Sequence, residues 1–418
     1  MLKSSDIALL TQTGPGTSMG NLFRRFWLPA LVSDELPQPD CPPVRLTVLN
    51  EKLVGFRDSD GNPGFVAENC PHRGASLFFG RNEESGLRCV YHGWKFDTSG
   101  ACVDMPNEPP ESNFKHKVKV TAYSAADWGG VIWIYMGPPE LKPELPNFEW
   151  CLVPPEQRVV HRWYHECNYA QAMEGDLDTA HVSFLHKLLD GGDANFRRTS
   201  STGAVLMHHG SPKLTIKETD YGFCYGARRN ADRGYYWRIT QCLLPGYSII
   251  PSATTQYASG AWFPMDDHHS TGWRFVWNSA DPIPQETRAR AGNPPTRPAG
   301  SIMPVANRHN DYQIDREMQR TKSFTGIWDF RAQDSMATES MGPIMDRTKE
   351  HLGTSDLAII MYRRQLLRLA RELEQGQEPF AARGGELFHV RSLDVVTPAA
   401  ELDGVLKEHD EHVFHPAL

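Results

Sequence analysis

The chain has 418 residues, 40% of them hydrophobic, with a formal net charge of −8 at pH 7 and eight cysteines. That length exceeds one small core and suits two domains, while an acidic balance without a basic run excludes nucleic acid or an anionic membrane as the main partner. There is no run of about 18 apolar residues, and Met1-Leu2-Lys3-Ser4-Ser5-Asp6 lacks the apolar core of a signal peptide, so a cytoplasmic protein with reduced thiols is expected.

Thr13-Gly14-Pro15-Gly16 and residues 22–29 read as a loop, a short helix and a turn. Period-two alternation then predicts strands over 44–49 and 53–57, a turn at Asp58-Ser59-Asp60-Gly61-Asn62, and strands over 118–123 and 131–135. Residues 1–140 are expected to be a small all-β domain with an N-terminal helical segment. Within it lie Cys70-Pro71-His72 and Cys89-Val90-Tyr91-His92, with Gly74, Gly80 and Gly93 permitting tight loops. Two thiolates and two imidazoles delivered from two loops can hold a Rieske [2Fe–2S] cluster, cysteines on one iron and histidines on the other. A structural Cys2His2 zinc site uses the same donors. Each half here pairs unlike ligands, whereas zinc fingers pair like with like, which favours the cluster. Cys41, Cys102, Cys151, Cys167, Cys224 and Cys242 read as core residues.

After a proline-rich linker over 139–146, residues 141–418 are expected to hold a large antiparallel sheet flanked by helices, giving an α+β chain overall. Strands are predicted over 214–217, 223–227, 235–240 and 273–278, a helix over 356–374 that ends at Gly376, and a loop, a candidate lid, over 282–304. At the head of this region stands Glu174-Gly175-Asp176-Leu177-Asp178-Thr179-Ala180-His181-Val182-Ser183-Phe184-Leu185-His186. Three residues advance a helix by about 300°, so Asp178 and His181 share a face. Five residues leave His181 and His186 roughly 140° apart, so both reach one metal only if the helix ends, bends or carries a π-type irregularity. Two imidazoles and a carboxylate on one side of Fe(II) leave positions for dioxygen and substrate. Asp178, packed on His181, is better placed as the acceptor that fixes the imidazole tautomer, so the third ligand is expected from elsewhere in the chain.

With Cys70, His72, Cys89, His92 and then Asp178, His181, His186 in this order, the sequence resembles the oxygenase (alpha) subunit of Rieske non-haem iron aromatic-ring-hydroxylating oxygenases. Thr13-Gly14-Pro15-Gly16, Asn168-Tyr169, Gln171-Ala172-Met173-Glu174 and the run from Gln333-Asp334 through Glu339 to Gly342-Pro343 and Asp346-Arg347 match its phthalate dioxygenase-like branch. Gly175 departs from the Asn that some relatives carry there. The resemblance implies that Asp334 is the third iron ligand, with Asp329 and Asp346 as the next candidates. It also implies that Asp178 links His181 to a cluster histidine of the neighbouring subunit, in a homotrimer or a stack of two trimers. Electrons are expected from NAD(P)H through a separate flavin/iron–sulfur reductase, and O2 is spent on hydroxylating an aromatic acid or on O-demethylating a methoxy-aromatic acid. A plain Rieske electron-transfer protein would leave the second motif without purpose. Arg197, Arg198, Arg228 and Arg229 are candidates for gripping a substrate carboxylate through two parallel hydrogen bonds.

Overall fold

The computed structural model describes residues 2–109, 111–189, 205–206, 209–251, 256–291 and 301–416. Its N-terminal part is built on a six-stranded antiparallel sheet in the order β1-β10-β9-β4-β3-β2. The strands are β1 (Trp27–Val32), β2 (Val44–Val48), β3 (Glu51–Arg57), β4 (Pro63–Ala67), β9 (Ala122–Trp128) and β10 (Val131–Tyr135). A second sheet of four short strands, β5 (Arg81–Glu83), β6 (Gly86–Arg88), β7 (Lys95–Phe96) and β8 (Cys102–Asp104), sits beside it. Asp58 makes the expected turn, its Oδ1 accepting from the backbone N–H of Asp60 and of Asn62.

Two expectations shift here. Residues 27–29 open strand β1 instead of ending a turn, because every residue from Trp27 to Leu31 is buried against β10. The strand expected over 118–123 begins only at Ala122. Residues Phe114–Lys117 are wound into a 3-10 turn, and the strand lies between β4 and β10, meeting β10 through the two-residue turn Gly129-Gly130. Both glycines have positive φ, +65° and +82°, the backbone that a tight hairpin of this twist demands.

The larger sheet has eight strands: β11 (Arg158–His165), β12 (Lys213–Thr219), β13 (Gly222–Ala231), β14 (Gly234–Leu243), β15 (Tyr247–Ile249), β16 (Tyr257–Pro264), β17 (Ser270–Trp277) and β18 (Leu393–Thr397). Its order is β11-β17-β16-β15-β14-β13-β12, with β18 alongside β14. All four strands expected from alternation lie within it. β11, β15, β16 and β18 complete it. The helix expected over 356–374 spans Leu357–Glu374 and stops before Gly376 (φ +80°). Residues 282–304 are not simply a loop, since Gln285–Ala291 is helical; residues 292–300 lie outside the described part.

The N-terminal helices Ser4–Thr11 and Ser18–Phe23 rest on the Leu357–Glu374 helix, Arg371 pairing with Asp6. Tyr169 and Asn168 in turn donate to the carbonyls of Leu10 and Thr11. One apolar core joins both sheets, with Phe148, Trp150 and Phe275 stacked at 4.0 and 4.3 Å. Each such buried ring removes roughly 150–250 Å² from water, so this shared core fixes the six-stranded sheet to the eight-stranded one. No described helix is long and apolar enough to cross a membrane.

Candidate active site and cluster loops

The helix Tyr169–Leu177 is capped by Asn168, whose side chain accepts from the Ala170 N–H. It is anchored from below by Glu174, which takes a two-pronged grip from Arg363 at 2.8 and 2.9 Å and a third bond from Arg347. The helix stops at Leu177. Asp178 is extended (φ −79°, ψ 111°), and its Oδ1 accepts from the N–H of Ala180 at 2.6 Å and of His181 at 3.3 Å. It thereby opens the short helix Val182–Leu185, at whose end His186 leaves helical geometry (φ −98°, ψ 12°). The irregularity required by the five-residue spacing is therefore present, as a helix break before His181 and a helix end at His186. The expected pairing of Asp178 with His181 on one helical face is corrected: Asp178 stands outside any helix and reaches His181 Nδ1 through this turn, at 3.6 Å.

The carboxylate that meets both imidazoles comes from the helix Phe330–Glu339. Asp334 Oδ1 lies 3.1 Å from His186 Nε2 and 3.6 Å from His181 Nε2, and the three donor atoms fall within 4.8 Å of one another. The rival acids are engaged elsewhere. Asp329 caps the same helix by accepting from Ala332 N–H, and Asp346 bonds Thr348 and Lys349. Gln333, adjacent to Asp334, donates through Nε2 to the Ile327 carbonyl and so turns its oxygen to His186 Nδ1, 2.7 Å away. With Nδ1 donating, Nε2 is the nitrogen that would offer its lone pair to a metal beside Asp334. Burial works against the charge on Asp334, but His186 and His181 outweigh it and hold the carboxyl below its ordinary pKa. His181 is likewise raised, with Asp178 and Asp334 overcoming its desolvation. A cluster whose carboxylates favour positive charge on His181 is one in which a divalent cation can take the place of that proton. The His186 side chain is 1% exposed, His181 24% and Asp334 36%, so the trio is closed on one side and open on the other. Two imidazoles and a carboxylate in this arrangement suit a mononuclear Fe(II).

The other motif occupies two hairpin-like loops. Cys70 follows β4, and the Gly74 N–H returns to its carbonyl; Cys89 follows β6, and the Gly93 N–H returns to its carbonyl. Gly74 and Gly93 take φ near +80°, which lets the two loops repeat one tight shape. Both thiols are buried, each 2% exposed, and burial together with the nearby Cys89 pushes Cys70 up to about 11. The imidazoles sit further out. His72 and His92 have ring centroids 4.4 Å apart, and His72 stacks on Trp94 at 4.3 Å. His92 Nδ1 is buried without a hydrogen-bond partner, a cost that a metal bond removes. Sulfur donors inside and imidazoles towards the surface fit a [2Fe–2S] group with its histidine-bound iron outermost.

Of the four candidate arginines, Arg197 and Arg198 lie outside the described residues. Arg228 points away from the iron trio: it donates to the Ala400 carbonyl and lies over Tyr235. Arg229, on the opposite face of β13, donates to the carbonyls of His209 and Thr179, tying down the turn that carries His181. Sequence reasoning missed the tautomer-setting role of Gln333, the buried pair His165–Glu339, whose Nδ1 and Oε1 are 2.9 Å apart, and Arg331. An i,i+3 search outward from Asp334 finds Arg331.

The description Rieske [2Fe-2S] domain matches residues 26–123, and the description LigXa C-terminal domain like matches residues 134–401. The chain is 37% identical to the 3-chlorobenzoate-3,4-dioxygenase oxygenase subunit of Comamonas testosteroni, over 94% of this chain and 97% of that one. It is 37% identical to the phthalate 4,5-dioxygenase oxygenase subunit of Pseudomonas putida, over 90% and 88% respectively. Its fold follows the solved structure of Pseudomonas putida CBB5 NdmA, with a TM-score of 0.63 at 20% identity, covering 92% of this chain and 99% of that one. The chain belongs to the Rieske non-haem iron aromatic-ring oxygenases, as an oxygenase subunit of the phthalate dioxygenase-like branch. It is an oxidoreductase that works with a [2Fe–2S] cluster and Fe(II) and draws on a separate reductase.

Proposed function

We propose that the enzyme hydroxylates an aromatic carboxylate of phthalate or benzoate type, with Cys70, His72, Cys89 and His92 holding the cluster and His181, His186 and Asp334 holding the iron. The convergence of three donor atoms within 4.8 Å, open on one side, carries this reading; the names of the two relatives support the acid. When bound, the cluster supplies single electrons and the iron activates O2. Ring hydroxylation consumes O2, two electrons and two protons, leaving either a cis-diol or one hydroxyl and water. The chain's own part is positional. Gln333 and Asp178 fix which nitrogen each imidazole presents, Glu174 holds the preceding helix, and the exposed side of Asp334 leaves room for a ring.

Residues 1–140 act as the electron-accepting domain and 141–418 as the catalytic domain, in a cytoplasmic homotrimer. Support for assembly comes from exposed apolar side chains at both sites: Val90 and Tyr91 on the cluster loop, and Phe184, Phe324 and Trp328 beside the iron trio. The test is turnover of phthalate, halobenzoates, phenoxybenzoates and methoxybenzoates with labelled O2 and a reductase. Label is expected in a hydroxylated acid, from a red-brown protein with a Rieske-type EPR signal on reduction. Formaldehyde from methoxybenzoates alone moves the reaction to O-demethylation, and a colourless protein with stoichiometric zinc would falsify the cluster.

A further inference from the structure

Several buried arginines in this chain hold glutamates, while Arg229 holds only backbone carbonyls. Arg363 grips Glu174 and Glu350, and Arg391 grips Glu149. Arg331, part-buried on the helix Phe330–Glu339 that carries Asp334, is held differently. Its guanidinium lies over the Trp163 ring, with Cζ 4.8 Å from the centroid, and among the described residues it makes no hydrogen bond or ion pair. The groups whose charge it feels are Arg274, Asp329, Asp176 and Asp334. Each acid is committed elsewhere. Asp329 caps the helix, Asp176 accepts from Ser248 at 2.8 Å, and Asp334 faces the two imidazoles. Desolvation first, and then Arg274, push the Arg331 pKa down. A part-buried cation over an aromatic face, without a carboxylate partner among the described residues, has the donors of its fork left to bond a ligand.

The ring beneath Arg331 belongs to an aromatic pair. Trp163 meets Trp262 edge-on at 5.3 Å, and on β17 Arg274 stands in register with His161 of β11. Gly260 lets Asp176 approach β16 closely, since a Cβ at that position would lie 2.1 Å from Asp176 Oδ2. Arg331 precedes Asp334 by three residues on one helix, so their Cβ atoms are about 5–6 Å apart and on one face. That separation is of the order of a single aromatic ring.

We propose that Arg331 binds the carboxylate of the substrate in a two-pronged hydrogen bond and thereby sets the ring against the iron trio. The assignment deepens the aromatic-acid reading and rests on it. The planar fork of the guanidinium matches a carboxylate and not a neutral amide, so the acid function itself is what the site selects.

The test uses calorimetric titration of the anaerobic holoenzyme with phthalate and 3-chlorobenzoate, and with phthalamide and 3-chlorobenzamide as neutral counterparts. The wild type is expected to prefer the acids. Arg331→Gln is expected to lose about 100-fold in affinity for them and to leave the amides unchanged, with iron content and cluster absorbance intact. Arg331→Lys keeps the charge without the fork and is expected to lose about tenfold. It carries the test if the glutamine variant loses its metals. Acid preference that survives in Arg331→Gln, or wild-type affinity in Arg331→Lys, overturns the assignment and leaves the substrate reading standing. A wild type that binds no aromatic acid, or does not distinguish acid from amide, overturns the substrate reading and the assignment together.

Discussion

In the proposed iron site Gln333 decides which nitrogen of His186 faces the metal, because its amide is itself oriented by the Ile327 carbonyl. Replacing it with leucine keeps the volume and removes the acceptor, so the ring is free to present the wrong tautomer. Loss of such a partner weakens a metal site by about 10- to 100-fold. We therefore expect Gln333→Leu to release iron to a chelator correspondingly more readily, with the Rieske EPR signal untouched and Gln333→Glu close to wild type. Unaltered iron affinity in the leucine variant would mean that another contact holds the ring. The two histidines were legible in the sequence from their spacing, and so was the need for a break between them. Asp334 came only from resemblance and the role of Gln333 from neither, because both depend on one helix crossing a segment 147 residues earlier in the chain.

At the level of elements, His165 ties β11 to the helix that carries Asp334 and Gln333. Burial opposes charge on His165, but Cys167 and then Glu339 outweigh it and push the pKa up to about 10. Glu339 is correspondingly lowered, with His165, the Glu166 N–H and Tyr312 overcoming its burial. The raised histidine contributes stability that is complete below its unfolded pKa of about 6.5 and is lost as pH climbs through its folded value. The lowered glutamate contributes above its ordinary value and loses that contribution on acidification. Between about pH 6.5 and 10 the histidine governs. Glu339→Gln keeps the shape and discards the charge. It should cost about 3 kcal/mol near pH 6.5, and the gap to wild type should close as pH rises. Thermal unfolding from pH 6.5 to 9.5 measures this; parallel curves for the two proteins would remove His165 as the titrating group. Periodicity could not foresee such a tie. It found β10, β12, β13, β14 and β17 because their alternation or apolar character is local. It misplaced the start of β9, where a 3-10 turn and a distant hydrogen bond from Ala67 to Thr121 set the boundary. Gly129-Gly130, a strong hairpin signal, was there to be read.

For the whole molecule, the question is how an electron taken up in the small sheets reaches the trio of the large one. Asp178 stands beside the trio, its side chain 26% exposed, with one oxygen spent on the Ala180 and His181 N–H groups and the other facing His181 Nδ1. Its carboxyl is held below the usual range, because those donors outweigh its burial. In the proposed ring of subunits the same carboxylate accepts from His92 of the next chain, and heterologous contacts of this kind close when the rotation permits. Asp178→Asn separates the two duties. An asparagine oxygen still accepts from Ala180 and His181, so the turn, His181 and the iron stay in place. It carries no charge, so the link to a donor on each side is weakened. We expect the variant to bind both metals and to sediment as the wild-type oligomer, while oxidation of the pre-reduced cluster by O2 in the presence of an aromatic acid slows by orders of magnitude in stopped flow. Iron loss would reassign Asp178 to a purely structural duty. A wild-type rate, or an active monomer, would show that the electron takes a path within one chain.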